Sequence, residues 1–323
     1  MKYRKLLVTG SSGVLGSAFK SISEEYSENE FVFLSSKDFD ITNLSETISC
    51  IEKYRPNAIL HLAAFSGGVS LSMKYPAKML RDNTLMIFSI LEAARLCKVE
   101  KTIMTLSTGM YPPDAPLPLR EESIHNGPPH SSNYGYSFAK RLIDPAIKAY
   151  REEYSMNIIG LIPNGIFGEN DNFNFDSAPM LPSLIRRFYE NRYSSDQIIV
   201  WGDGSQLREY TYSKDIANIY MWALENYDDA QVLNIGTIEE NSVKDIAYMI
   251  ADTFNIDRNR IHFDSNKPGG IFRKNTDNSK FINISNFNYT PFKVGLENTI
   301  NWFVEMYENN PEQIRLYDKA RER

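Results

Sequence analysis

The chain has 323 residues, 42% of them apolar and 24% charged, with a net charge of −6, which is the make-up of a globular protein with a sizeable core and excludes a general nucleic-acid binder. Its two cysteines, Cys50 and Cys97, offer no metal-ligand spacing and read as buried structural thiols, so no metal and a reducing compartment are expected. No apolar run approaches the ~20 residues that cross a bilayer, and the apolar opening breaks at Thr9-Gly10 instead of extending as a secretory leader, so a cytoplasmic protein with no membrane partner is expected.

Leu6-Leu7-Val8 is a short buried run that ends in the turn Gly10-Ser-Ser-Gly13-Val-Leu-Gly16, and residues 14–25 read as the helix that follows. A glycine turn between a first strand and a first helix sets a pyrophosphate on the helix N-terminus, with Gly10, Ser12, Gly13, Val14, Leu15 and Gly16 as its cradle. Residues 31–34 read as a second buried strand, and its end carries Ser35-Ser36-Lys37, followed by Asp38. An NAD enzyme presents an acid near that point; two hydroxyls and an ammonium suit a 2′-phosphate, so NADPH is the cofactor expected.

Residues 45–54 read as a helix, 58–62 as a third strand, 77–97 as a longer helix and 102–106 as a fourth strand. A helix carrying Tyr136 and Lys140 comes next, then a fifth strand at 157–161. Strands alternating with helices imply an α/β fold, a doubly wound parallel sheet of the Rossmann type. Past residue 165 the rhythm changes to a polar, aromatic loop at 167–175, a helix at 181–192 and short strands at 198–201, 232–236 and 261–263. This second part reads as a smaller C-terminal substrate-binding lobe, interleaved with elements that return to the main sheet. The dinucleotide-binding domain is expected over 1–168 and about 205–237, and the lobe over about 169–204 and 238–323.

Tyr136 and Lys140 stand four apart and share one helix face. The ammonium favours ionisation of the phenol, whose free pKa of about 10 is too high for easy proton exchange near neutrality. Tyr136 then serves as general acid or base, and Ser107, at the end of the fourth strand, hydrogen-bonds the reacting oxygen.

Tyr-x-x-x-Lys with an upstream Ser resembles the extended short-chain dehydrogenase/reductases. Within them Ser35-Ser-Lys-Asp-Phe-Asp-Ile-Thr42, His61-Leu-Ala-Ala64, Gly67-Gly68 and His125-Asn-Gly-Pro-Pro-His130-Ser-Ser-Asn133 are similar to the GDP-L-fucose synthase family. So are Asp171-Asn-Phe173, Arg208-Glu-Tyr-Thr-Tyr-Ser213 and Asn278-Ser-Lys280, and the likeness covers nearly the whole chain. It implies a GDP-linked 4-keto sugar as substrate and a homodimer built on the long helices. By the resemblance Ser107, Tyr136 and Lys140 are the catalytic trio, and Lys140 also touches the nicotinamide ribose. Ser36 and Lys37 meet the adenosine phosphate, Asp40 and Ile41 the adenine, and Leu62, Ala63, Ala64 and Pro163 line the cofactor cleft. Arg187, Trp201, Arg208 and Lys280 fall where the family holds the nucleotide-sugar, with Gly68, Thr108 and Gly109 beside its sugar ring. Arg offers a planar fork for a diphosphate, and Trp a face for a base or sugar.

The sequence departs from that family where it matters chemically. Fucose synthases invert C3 and C5 before reducing C4, using a Cys two places after the Ser and a His shortly before a Leu-Pro. Here those places hold Gly109, which has no side chain, and Pro179, which has no exchangeable proton. His125 and His130 are the candidate replacements. Pro163-Asn164-Gly165 also stands where the family has Pro-Thr-Asn and a substrate contact. The expectation is an NADPH-dependent C4 reductase of a GDP-4-keto hexose or heptose, without epimerase chemistry, in the making of surface polysaccharide. A bifunctional fucose synthase and a non-catalytic cofactor-binding regulator are the rival readings.

Overall fold

The computed structural model describes residues 2–267 and 271–316, so the last residues of the expected lobe lie outside the described ones. From the N-terminus run β1 (Lys5–Thr9), α1 (Val14–Ile22), β2 (Glu30–Leu34), α2 (Leu44–Tyr54) and β3 (Ala58–His61). After them come α3 (Val69–Lys74), α4 (Pro76–Leu96), β4 (Lys101–Thr105), α5 (Tyr134–Arg141), α6 (Ile143–Tyr154) and β5 (Ile158–Pro163). The second part contains β6 (Gly165–Phe167), α7 (Met180–Glu190), β7 (Ile198–Trp201), β8 (Leu207–Tyr212), α8 (Ser213–Asn226) and β9 (Leu233–Ile235). It ends with β10 (Glu240–Ser242), α9 (Val243–Thr253), β11 (Ile261–Asp264), α10 (Ser279–Ser285) and α11 (Phe292–Asn309).

The main sheet has the order β2-β1-β3-β4-β5-β9, and every pairing in it is parallel. Its central strands are buried along their whole length, because helices cover both faces. Leu6 and Val8 pack with α1 and α8 on one face, whereas Leu7, Ile59 and Met104 pack with α2, α4 and α6 on the other. Alternating side chains of one strand thus feed two cores. The chain order reverses about β1, so a crevice opens beyond the C-terminal ends of β1 and β3, where doubly wound sheets bind their ligands.

A third core gathers α7, α9 and α11 around Phe167, Phe173 and Val200. It supports a three-stranded sheet, β10-β8-β6, and the parallel pair β11-β7. Two expectations need correction. β2 is an edge strand with only Leu34 buried, since β1 covers one side of it alone. Cys50 is buried as expected, but Cys97 caps the end of α4 and is partly exposed. Among the described residues no helix is long and apolar enough to cross a membrane, and no His, Cys, Asp and Glu side chains gather as a metal site.

Candidate active site

The glycine turn after β1 is held by geometry that forbids larger residues. Gly10 has φ +70°, and a Cβ on it would lie 2.7 Å from the Ala63 nitrogen, so the turn and the Leu62-Ala63 segment after β3 touch backbone to backbone. A Cβ on Gly16 would lie 2.5 Å from the Gly10 oxygen, which packs α1 tightly on its own entry turn. Gly13 occupies the N-cap of α1 without a side-chain cap, so the amides of Val14, Leu15 and Gly16 face the crevice unclaimed by any capping side chain. These features fit a pyrophosphate.

At the end of β2 the chain resolves a conflict left by the sequence. Asp38 does not stand free to bond a ribose: its Oδ2 accepts from the Ser35 amide at 2.7 Å and the Ser35 hydroxyl at 2.9 Å. Those bonds hold its carboxyl below the usual range, with Lys20 and Lys37 adding to the effect. Ser36 and Lys37 remain exposed on the turn, as a 2′-phosphate requires. Asp40 is likewise engaged locally, its Oδ1 accepting from the Thr42 amide at 2.9 Å.

Ser107, Tyr136 and Lys140 meet beyond the C-terminal end of β4. Ser107 Oγ accepts from the Gly109 amide at 3.1 Å, with the Tyr136 side chain beside it. Lys140 is fully buried and its Nζ donates to the Thr105 carbonyl at 2.7 Å, 5.9 Å from the Tyr136 ring centre. The net lowering of the phenol expected from the ammonium is outweighed by burial in this geometry. Burial pushes Tyr136 up to about 12, against a smaller opposing effect from Ser107, and burial pushes Lys140 down to about 8. The phenol is therefore a stored proton near neutrality. That is the state a general acid needs.

His61, which the sequence gave no reason to single out beyond its motif, lies beneath this group. Thr9 Oγ1 accepts from the Leu62 amide at 3.2 Å and the Ala63 amide at 3.3 Å, so its proton goes to His61 Nδ1 at 3.0 Å. Burial, and then the charge of Lys140, push the imidazole down to about 3, and it stays neutral.

The second part of the molecule presents the expected cations at separate points. Arg187 on α7 donates to the Ile199 carbonyl at 2.6 Å, and Trp201 ends β7 with 55% of its surface exposed. Arg208 on β8 donates to the Ile271 carbonyl at 2.9 Å. Lys280 is not brought to them. Its Nζ donates to Gln231 at 2.6 Å, just before β9 and so at the N-terminal end of the sheet, opposite the crevice. Lys274, on the 271–276 segment bonded to β8, is pushed down to about 8 by burial and then by the charge of Arg208. Sequence reasoning missed it because the Asn278-Ser-Lys280 motif drew attention to the next lysine along.

Gly67 and Gly68 pack under the segment that holds Pro179. The Gly68 amide donates to the Ser177 carbonyl at 2.9 Å, and a Cβ on Gly68 would lie 2.7 Å from the Ala178 oxygen. Thr108 and Gly109 form the short turn after Ser107, and a Cβ on Gly109 would lie 3.3 Å from Ser107 Oγ. Gly109 is not among the positive-φ positions, so its backbone does not demand glycine. The histidines offered as replacements are engaged elsewhere: His125 Nε2 lies 2.8 Å from Asp144 on α6, and His130 Nδ1 lies 2.8 Å from the Ser132 hydroxyl. Asn164 turns inward, donating to Glu209 at 2.9 Å and to the Thr237 carbonyl at 3.0 Å.

A doubly wound parallel sheet, an open helix N-terminus over a glycine turn, and a Tyr-x-x-x-Lys helix beside Ser107 together define an extended short-chain dehydrogenase/reductase. Residues 6–236 match the NAD dependent epimerase/dehydratase family. The chain belongs to that family. It is 33% identical over 310 residues to a GDP-L-fucose synthase of Dictyostelium discoideum, across 94% of this chain and 97% of that protein, so the likeness takes in both parts of the fold. The crystal structure of a GDP-L-fucose synthetase from Naegleria fowleri bound to NADP matches with a TM-score of 0.91 at 34% identity, covering 98% of this chain and 96% of that one. A GDP-6-OMe-4-keto-L-xylo-heptose reductase from C. jejuni shares the fold, with a TM-score of 0.84 at 21% identity over 95% and 98% of the two chains.

Proposed function

We propose that this protein is an NADPH-dependent oxidoreductase that reduces the C4 ketone of a GDP-4-keto-6-deoxyhexose or GDP-4-keto-heptose and leaves C3 and C5 as it finds them. One juxtaposition carries the reading. The Ser107, Tyr136 and Lys140 group is intact, while position 109, whose Cβ direction lies 3.3 Å from Ser107 Oγ, holds glycine, and position 179 holds proline. Both sites of proton exchange at carbon are thereby empty of acid or base.

NADPH, held by the glycine turn, Ser36 and Lys37, supplies the hydride at C4. Ser107 donates to the ketone oxygen and orients it. Tyr136 gives its phenolic proton to that oxygen as charge develops there, and the ammonium of Lys140 stabilises the phenolate left behind. Arg187, Arg208 and Lys274 match the negative charge of the GDP diphosphate, and Trp201 offers it an exposed ring. Lys280 has no part in this assignment. The catalytic group belongs to a dinucleotide-binding domain over 1–168 and about 205–237, and Arg187, Trp201 and Lys274 to the lobe over about 169–204 and 238–323, with Arg208 on β8 at the seam.

The test mixes enzyme, NADPH and GDP-4-keto-6-deoxymannose in D2O. NADPH oxidation without deuterium at C3 or C5 is expected; enzyme-dependent exchange at either carbon overturns the reading. The second reading, a bifunctional GDP-L-fucose synthase, is favoured by the 33% identity to a protein of that name, and the same measurement separates the two.

A further inference from the structure

β8 alternates in what its side chains meet. Arg208 and Tyr210 lie near one another on one side, whereas Glu209 and Thr211 turn into a buried polar knot. Glu209 Oε2 accepts from the Thr276 amide at 3.0 Å, the Thr276 hydroxyl at 2.8 Å and Asn164 Nδ2 at 2.9 Å. Asn164 joins β5 to β6, and its Nδ2 also reaches the carbonyl of Thr237, just past β9. Its Oδ1 accepts from the Thr211 hydroxyl, and the same hydroxyl oxygen accepts from the Thr237 amide at 2.9 Å. One carboxylate thus ties the C-terminal ends of two main-sheet strands to β8 and to the segment ending at Thr276.

That segment carries Lys274, and it is fastened to β8 along its length. The Leu207 amide donates to the Phe272 carbonyl at 2.8 Å, Arg208 reaches the Ile271 carbonyl, and Arg273 pairs with Glu240 on β10. The bonds to Thr276 close this seam from beneath. Arg208 is the covalent neighbour of Glu209, and Lys274 stands two residues before Thr276.

We propose that Glu209 is a positioning residue for the diphosphate pocket, setting the separation of Arg208 and Lys274 by holding Thr276 and Asn164 on one buried oxygen. This rests on the assignment of those two cations to the GDP moiety. Loss of one of these bonds leaves its buried partners unmet.

The experiment measures GDP affinity by calorimetry, NADPH affinity by fluorescence and Tm for Glu209→Gln, Thr276→Val, Arg208→Ala and the double variant Glu209→Gln/Arg208→Ala. Glu209→Gln and Thr276→Val are expected to weaken GDP ~10-fold with NADPH affinity unchanged. The double variant is expected to lose less than the sum of the two single losses, because the carboxylate acts through that guanidinium and through Lys274. A Glu209→Gln affinity equal to wild type beside a weakened Arg208→Ala overturns the positioning role and leaves the pocket assignment standing, as do losses that add in full. GDP affinity unchanged in Arg208→Ala overturns the pocket assignment, and the positioning role with it. Thr276→Val keeps the carboxylate and serves if Glu209→Gln does not fold.

Discussion

At the scale of single residues, chemistry is set by how burial divides the Tyr136 and Lys140 pair. A phenol pushed up to about 12 keeps its proton across the whole working range, so it does not set the alkaline limit of reduction. Lys140 does: its ammonium, pushed down to about 8 by burial, loses its proton above that point, and with it goes the charge that stabilises the phenolate left by proton transfer. The reductive rate is therefore expected to hold below about pH 8 and fall above it, in a profile measured from about pH 6 to 10. A flat profile through the alkaline range contradicts this assignment. Tyr136→Phe is expected to lower kcat by ~10²–10⁴ while NADPH affinity stays within experimental error, since only the proton donor is removed. The sequence made the trio legible through its spacing. It did not reveal the sign of the phenol shift, because that depends on how deeply the fold buries the hydroxyl.

At the scale of elements, the central strands of the main sheet were legible because they are buried on both faces and carry short apolar runs between helices. β8 was not. Its Leu-Arg-Glu-Tyr-Thr-Tyr sequence alternates Glu209 and Thr211, members of a polar knot, with Arg208 and two tyrosines that pack on the third core, so no apolar run marks it. The same limit hid Lys274, whose place beside Arg208 follows from the seam between β8 and the 271–276 segment and not from any spacing in the chain. The turn after β2 was the opposite case, with too many candidates in a row; the bonds from Ser35 to Asp38 remove the competing acid. Replacing Ser36 and Lys37 together by Ala is expected to raise KM for NADPH ~10-fold and leave that for NADH unchanged, since only a 2′-phosphate is lost as a partner. Equal effects on the two nucleotides contradict this.

At the scale of the whole molecule, α4 presents an apolar stripe that stays exposed among the described residues. Leu85, Phe88 and Leu96 are 44%, 37% and 49% exposed at helical spacing, and Phe138 and Leu142 on the adjoining α5 and its C-cap are 41% and 38% exposed. We propose this face as the two-fold interface of the homodimer that the resemblance implies. Leu85→Asp with Phe88→Asp is expected to give a monomer by sedimentation, with the far-ultraviolet circular dichroism of the parent. A wild-type chain that sediments as a monomer contradicts the dimer outright.

The Asn164-Gly165-Gly236 arrangement reaches beyond the pocket. A Cβ on Gly165 would lie 2.6 Å from the Glu209 carbonyl oxygen, and a Cβ on Gly236 would lie 2.4 Å from the Asn164 amide. Neither glycine tolerates a side chain while the inward asparagine remains, and moving the amide back to position 165 collides with β8. The three positions are therefore mechanically coupled: a side chain at either glycine requires β8 or the Asn164 amide to shift, so the junction of the two parts of the molecule accepts change at one of them only with movement at another.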